Sequence, residues 1–69
     1  MDVNVAVEYA KAAVSFDKEK KFDAAAYYYR SAADALEKLI DDGVIQSAEW
    51  GSKILDYRER ASQLAETST

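Results

Sequence analysis

The chain has no cysteine, no histidine and no proline, and only two glycines, Gly43 and Gly51. Without cysteine there is no disulfide and no thiolate nucleophile, and without cysteine and histidine together the usual zinc sites are excluded. The missing imidazole also removes the side chain best suited to acid–base work at neutral pH. A cysteine-free composition fits an intracellular, cytoplasmic setting. No apolar run approaches the length of a membrane span, and the N-terminus shows no signal-peptide pattern. Positive charge is also scarce: nine Lys and Arg against 13 Asp and Glu leave a net charge of −4. Such a surface repels nucleic-acid phosphates, so no nucleic-acid partner is expected, and a basic partner is modestly favoured.

What remains is apolar residues at helical spacing. Nearly half the 69 residues are hydrophobic, enough for one domain with one modest core. Many are alanines, so stability rests on close helix approach and on ten larger side chains: Tyr9, Phe16, Phe22, Tyr29, Leu36, Ile40, Trp50, Ile54, Tyr57 and Leu64. The run from Phe22 to Leu36 is the most informative segment. It carries two interleaved stripes, Phe22-Ala26-Tyr29-Ala33-Leu36-Ile40 and Ala25-Tyr28-Ala32-Ala35-Leu39. Two stripes on one helix place it between two neighbours.

The pattern predicts three helices. The first runs from about Val3 to Glu19, capped by Asp2 or Asn4. Lys18, Lys20 and Lys21 near its end read as a solvated turn. The second runs from Phe22 or Asp23 to about Asp42. Gly43 accepts the left-handed conformation after it, and Val44 is placed to fold back on Leu39 or Ile40. The third runs from about Ser47, the expected N-cap, to Glu66. Its core stripe is Ser47, Trp50, Ile54, Tyr57, Ala61 and Leu64. Gly51 inside this helix costs up to about 1 kcal/mol relative to alanine, which suggests that something approaches it closely. Both connections are short, which makes consecutive helices antiparallel. The expected fold is all-α, an antiparallel up-down-up three-helix bundle over residues 1–66, with 67–69 as a flexible tail.

The third helix has a second face of mostly small residues: Ala48, Gly51, Leu55, Arg58, Ser62 and Ala65. Set beside Tyr28, Ala32, Ala35 and Leu39 of the second helix, it outlines a shallow groove suited to an amphipathic helix. A tight internal helix contact uses small residues in the same way. The triple Tyr27-Tyr28-Tyr29 does not form one stacking platform, because successive side chains on a helix point about 100° apart. Tyr29 reads as core, Tyr28 as half-buried and Tyr27 as exposed or against the first helix. The carboxylate pairs Asp41/Asp42 and Asp56/Glu59 read as solvated charges. No serine has a histidine partner, and no catalytic residue, metal or cofactor is expected.

The run Phe22-x-x-Ala25-x-x-x-Tyr29-x-x-Ala32-x-x-x-Leu36 resembles the second helix of MIT (microtubule-interacting and trafficking) domains. Asp17 matches the acid ending their first helix, and Ala13-Val14 the apolar pair before it. Tyr57-x-x-Arg60-Ala61-x-x-Leu64 is similar to the family's Tyr-x-x-Arg-Ala-Glu-x-Leu signature. The segment from Tyr9 to Leu36 looks most like MIT domains of calpain-like cysteine proteases, with those of ESCRT-III-disassembling AAA ATPases also close.

The resemblance implies a monomeric, non-catalytic module that binds C-terminal motifs of ESCRT-III-like proteins. It would recruit an attached enzyme to membrane-remodelling and vesicle-trafficking complexes at endosomes, meeting the membrane only through its partner. The site would be the groove between the second and third helices or that between the first and third. Two positions depart from the pattern. Arg58 stands where many relatives place a groove-lining leucine, and Ser62 where the signature has glutamate. Arg58 is then expected to meet an acidic ligand residue or to lay its stem along the groove. The rival reading is a structural module, tetratricopeptide-like or self-associating. A single such repeat of about 34 residues needs stacked neighbours, and no second repeat is present.

Overall fold

A computed structural model of the chain describes residues 2–67. It contains α1 (Val3–Lys18), α2 (Phe22–Asp41) and α3 (Ser47–Thr67). Side-chain packing fixes the antiparallel order at both interfaces. Ala6 of α1 clusters with Ala35 and Leu36, near the end of α2, and Ala13 with Ala25 and Ala26, near its start. Trp50 and Ile54 of α3 pack with Leu36, whereas Ala61 and Leu64 pack with Ala25 and Tyr29. The fold is the expected antiparallel three-helix bundle, 36 × 18 × 14 Å across its principal axes.

Each helix boundary has a local cause. Asp2 caps α1 by accepting the Asn4 backbone N–H at 2.9 Å. At the end of α2, the Val44 N–H reaches the Leu39 carbonyl at 2.9 Å and the Gly43 N–H reaches Ile40 at 3.0 Å. Gly43 sits at φ 78°, so this is the expected Schellman closure. Its apolar partner differs from expectation. Val44 stays exposed, and Ile45 packs on the cluster containing Leu36 and Trp50. The N-cap of α3 also differs. The Gln46 carbonyl accepts the N–H groups of Glu49 and Trp50, so Ser47 is the first helical residue and Gln46 precedes it as the cap. Helix α3 continues through Thr67, one residue past the expected end. Ser68 and Thr69, the rest of the expected tail, lie outside the described residues.

The turn after α1 holds a feature that no glycine announces. Lys21 N–H bonds to the Phe16 carbonyl at 2.9 Å and Lys20 N–H to Asp17 at 3.1 Å, a second Schellman closure. Lys20 therefore occupies the left-handed region, at φ 61°. A Cβ there is strained, and glycine removes the strain. Lys20→Gly is expected to stabilise the fold by about 0.5–1 kcal/mol, raising Tm by about 2–8 °C for a domain of this size, measured by thermal unfolding.

The core sits on α2. Eight of its residues are buried, against two in α1, Ala6 and Ala13, and two in α3, Ala61 and Leu64. Both stripes of α2 are spent, as the sequence predicts for a helix with two neighbours. Among the described residues, no Cα of α1 comes within 8 Å of a Cα of α3, so each of the two packs its backbone on α2. Eight of the twelve buried hydrophobic residues are alanines, which lets the backbones approach closely. Of the large residues expected in the core, Tyr29, Leu36 and Leu64 are buried, joined by Leu39. Tyr9, Phe16, Phe22, Ile40, Trp50, Ile54 and Tyr57 are half-buried. An interior this narrow holds alanine and leucine, while rings lie along its seams with one edge in solvent.

One polar cluster ties all three helices together. Asp17 near the end of α1 accepts two hydrogen bonds from the Arg60 guanidinium on α3, at 2.9 and 2.8 Å. Its second acceptor role is toward Tyr29 on α2, whose hydroxyl donates to it at 3.0 Å. The Arg60 hydrogen bonds hold the Asp17 carboxyl below its ordinary pKa, and the Tyr29 hydroxyl adds to this against the opposing effect of burial. Burial pushes the Tyr29 phenol up, and the Asp17 carboxylate pushes it further. These are residues of the MIT-like motifs, and in this fold they do structural work.

Candidate binding grooves

The ten residues expected to form one groove do not all share a surface. Tyr28 turns to α1, stacked on Phe16 with ring centroids 5.5 Å apart and planes within 12°. Tyr9 of α1 lies 6.2 Å away, and Tyr27, itself exposed, meets Tyr28 edge-on at 5.1 Å. Ala32, Ala35 and Leu39 are buried, so they support the groove floor at most and present no surface of their own. Two members of this stripe meet α1: Tyr28 stacks on Phe16, and Ala35 clusters with Ala6. On α3, Ala48, Leu55, Arg58 and Ser62 are exposed, with Gly51 and Ala65 half-buried. Leu55 is 69% exposed, the most exposed large hydrophobic residue among those described. A Cβ built at Gly51 meets nothing within 4 Å, so no close neighbour among the described residues accounts for the glycine.

The outer wall of the α2–α3 groove is charged rather than aromatic. Arg58 reaches across from α3 and donates to Asp34 at 3.1 Å and to Glu37, both on α2. Arg58 stands between two open hollows. One, of about 290 Å³, is lined by Arg30, Asp34, Arg58 and Ser62. The other, of about 280 Å³, is lined by Asp34, Glu37, Lys38, Asp41 and Arg58. In this structure the acids that Arg58 meets belong to its own chain. Sequence reasoning missed Asp34, Glu37 and Asp41 as groove residues. Their spacing of three and four places them on one helix face, and that was the available signal. Ser62 leaves its side of the wall without the carboxylate of the family signature, while the facing helix supplies three.

The α1–α3 groove has a different character. Asp17 points to α3, and residues three, seven, ten and fourteen before it share its face: Val14, Ala10, Val7 and Val3. These are half-buried or exposed, with Val14 40% exposed. Trp50, Ile54 and Tyr57 of α3 are also half-buried and pack, with Val3, on the cluster of Ala6, Ala35 and Leu36. The Asp17–Arg60 pair links this face of α1 directly to α3.

Neither groove holds a catalytic arrangement. Among the described residues there is no cluster of acids able to hold a metal ion, and no buried side-chain nitrogen or oxygen lacks a hydrogen-bond partner. No helix of the described residues is long and apolar enough to cross a membrane. The hollows on either side of Arg58 are open, and an open surface between two helices suits a helix or an extended segment. Comparison with known families gives one match: the model of the MIT (microtubule interacting and transport) domain covers residues 3–66. No curated protein and no solved structure matches the chain significantly.

Proposed function

Since the chain belongs to the MIT domain family, whose members are non-catalytic protein-interaction modules, we propose that it recognises short C-terminal motifs of ESCRT-III-like proteins. In this reading it recruits an attached enzyme to membrane-remodelling complexes at endosomes. The observation that carries it is the acidic row Asp34, Glu37 and Asp41 around Arg58, with Leu55 exposed one turn before Arg58 on α3. An amphipathic helix laid along the α2–α3 groove would set its apolar face on Leu55, Ala48 and the floor at Gly51, and its basic residues against that row. The Cβ-free, unobstructed position of Gly51 fits a close approach from outside the chain. The α1–α3 furrow supports a second reading, in which an extended apolar segment lies between Val7, Ala10 and Val14 and the α3 residues Trp50 and Ile54.

The affinity is expected in the micromolar range, because the groove is shallow and the ligand orders as it binds. Titrating isotope-labelled domain with peptides from ESCRT-III C-termini tests this. Shifts centred on Leu55, Gly51 and Asp34 support the α2–α3 site, and shifts centred on Val7, Val14 and Trp50 support the other furrow. An unchanged spectrum at about millimolar peptide would remove the proposal, since binding that weak falls below a useful recruitment affinity.

A further inference from the structure

The Arg58 bridge stands where a ligand's cation would have to go. Its guanidinium already takes Asp34 and Glu37, two of the three acids on the α2 wall. The third, Asp41, has no ion-pair partner among the described residues, and the nearest other cations on that helix are Arg30 and Lys38, the latter paired with Asp42 at 3.9 Å. The Arg58 side chain is 46% exposed and its partners 75% and 52%, so the bridge is wet and weakly held. Leu55, one turn away on the same face of α3, lies bare beside it.

We propose that Arg58 is an intramolecular occupant of the α2–α3 groove: it holds Asp34 and Glu37 in a pair that a basic amphipathic helix must break, and so sets the affinity and charge preference of the site. This inference rests on the α2–α3 reading given above and names the residue that tunes it. The occupant is a helix because the wall is straight and built at helical spacing. It is basic because Asp34, Glu37 and Asp41 line the hollow beside Arg58, where Lys38 is paired with Asp42 and Arg58 is held only by the wet bridge, and it is leucine-bearing because Leu55 offers the apolar anchor. When the ligand's lysine or arginine takes the carboxylates, the Arg58 guanidinium swings into water with little loss. The bridge therefore sets charge preference: a basic helix displaces Arg58 from the carboxylates and takes them itself, whereas a neutral helix leaves the pair in place beside it.

The test uses the whole chain and two synthetic 18-residue helical peptides. Both carry a leucine stripe at three- and four-residue spacing; one has lysine on its flanks and the other glutamine. Arg58→Ala is expected to bind the lysine peptide about fivefold more tightly than the unaltered chain, with the glutamine peptide changed by less than about twofold. The gain is expected to shrink at high salt, where exposed charges are screened. The double variant Asp34→Asn/Glu37→Gln is expected to bind the lysine peptide several-fold more weakly, and circular dichroism confirms that each variant is folded. Equal or weaker binding of the lysine peptide by Arg58→Ala overturns the inference. So does an equal gain for the glutamine peptide, shifts confined to the α1–α3 furrow, or no binding of either peptide to any variant. If the designed peptides show the Arg58 effect while ESCRT-III peptides do not bind, the partner assignment falls and the role of Arg58 stands.

Discussion

Leu36→Ala is expected to unfold most of the protein at physiological temperature. Leu36 is 1% exposed and lies where α2 meets Ala6 of α1 and Trp50 and Ile54 of α3. Truncating a buried leucine costs about 2–5 kcal/mol, from lost transfer energy and from the cavity left behind. A domain this short has a total stability of about 3–10 kcal/mol. The alanine-rich core makes the loss worse. Among the described residues only Leu36 and Leu39 are large and essentially fully enclosed, so losing one removes much of the apolar area that the interior holds. Leu55→Ala is the matched control. The same atoms are removed at a site 69% exposed, and the change is expected to stay within about 0.5 kcal/mol. Urea titration of both variants reads the contrast directly. A Leu36→Ala variant as stable as the Leu55→Ala variant would mean that the core is not centred where α2 is most buried.

The second large effect belongs to Asp17. Its carboxylate accepts from Arg60 twice and from Tyr29 once, linking three helices through one side chain. Asp17→Asn keeps the shape and removes the charge. The expected cost is about 1–2 kcal/mol, in the range of charge-assisted hydrogen bonds after discounting for the half-exposed guanidinium. The pH dependence has a definite sign. The folded-state pKa of Asp17 lies below its unfolded value, so the stabilisation is complete above about pH 4. It is lost as pH falls further, through the depressed folded value. The difference in Tm between the unaltered chain and Asp17→Asn is thus expected to be flat from about pH 5 to 8 and to narrow below about pH 4. Tyr29 acts at the other extreme. With its pKa raised by burial, its contribution holds at neutral pH and falls only above the ordinary tyrosine range near pH 10. A Tm difference that persisted unchanged to about pH 2 would show that the carboxylate charge is not what links the helices.

Spacing alone placed the helices to within a residue or two. The two stripes of α2, at three and four residues, required neighbours on both sides, and α1 and α3 occupy them. Gly43 marked its turn because only a residue without Cβ adopts that φ freely. Lys20 did not mark the matching turn after α1, because nothing about a lysine signals a left-handed backbone. There the chain geometry between two packed helices imposes it, and the side chain bears the strain. Gln46 was likewise invisible as a cap, since its role falls to a backbone carbonyl that every residue carries.

Periodicity in this chain determined which faces are apolar, how many helices form and in what order they run, because those follow from local spacing and short links. It did not determine which neighbour each face would meet. Tyr28 and Leu39 sit on the same stripe in the sequence, yet one became a seam ring against Phe16 and the other part of the closed interior. The groove followed the same rule. Arg58 is more than twenty residues from both Asp34 and Glu37 along the chain, and only the antiparallel docking of α3 on α2 brought it within hydrogen-bonding reach of them. A helix fixes the direction of its side chains, but the identity of what lies opposite depends on rotation and register at the interface, and these are set by the packing of the whole bundle.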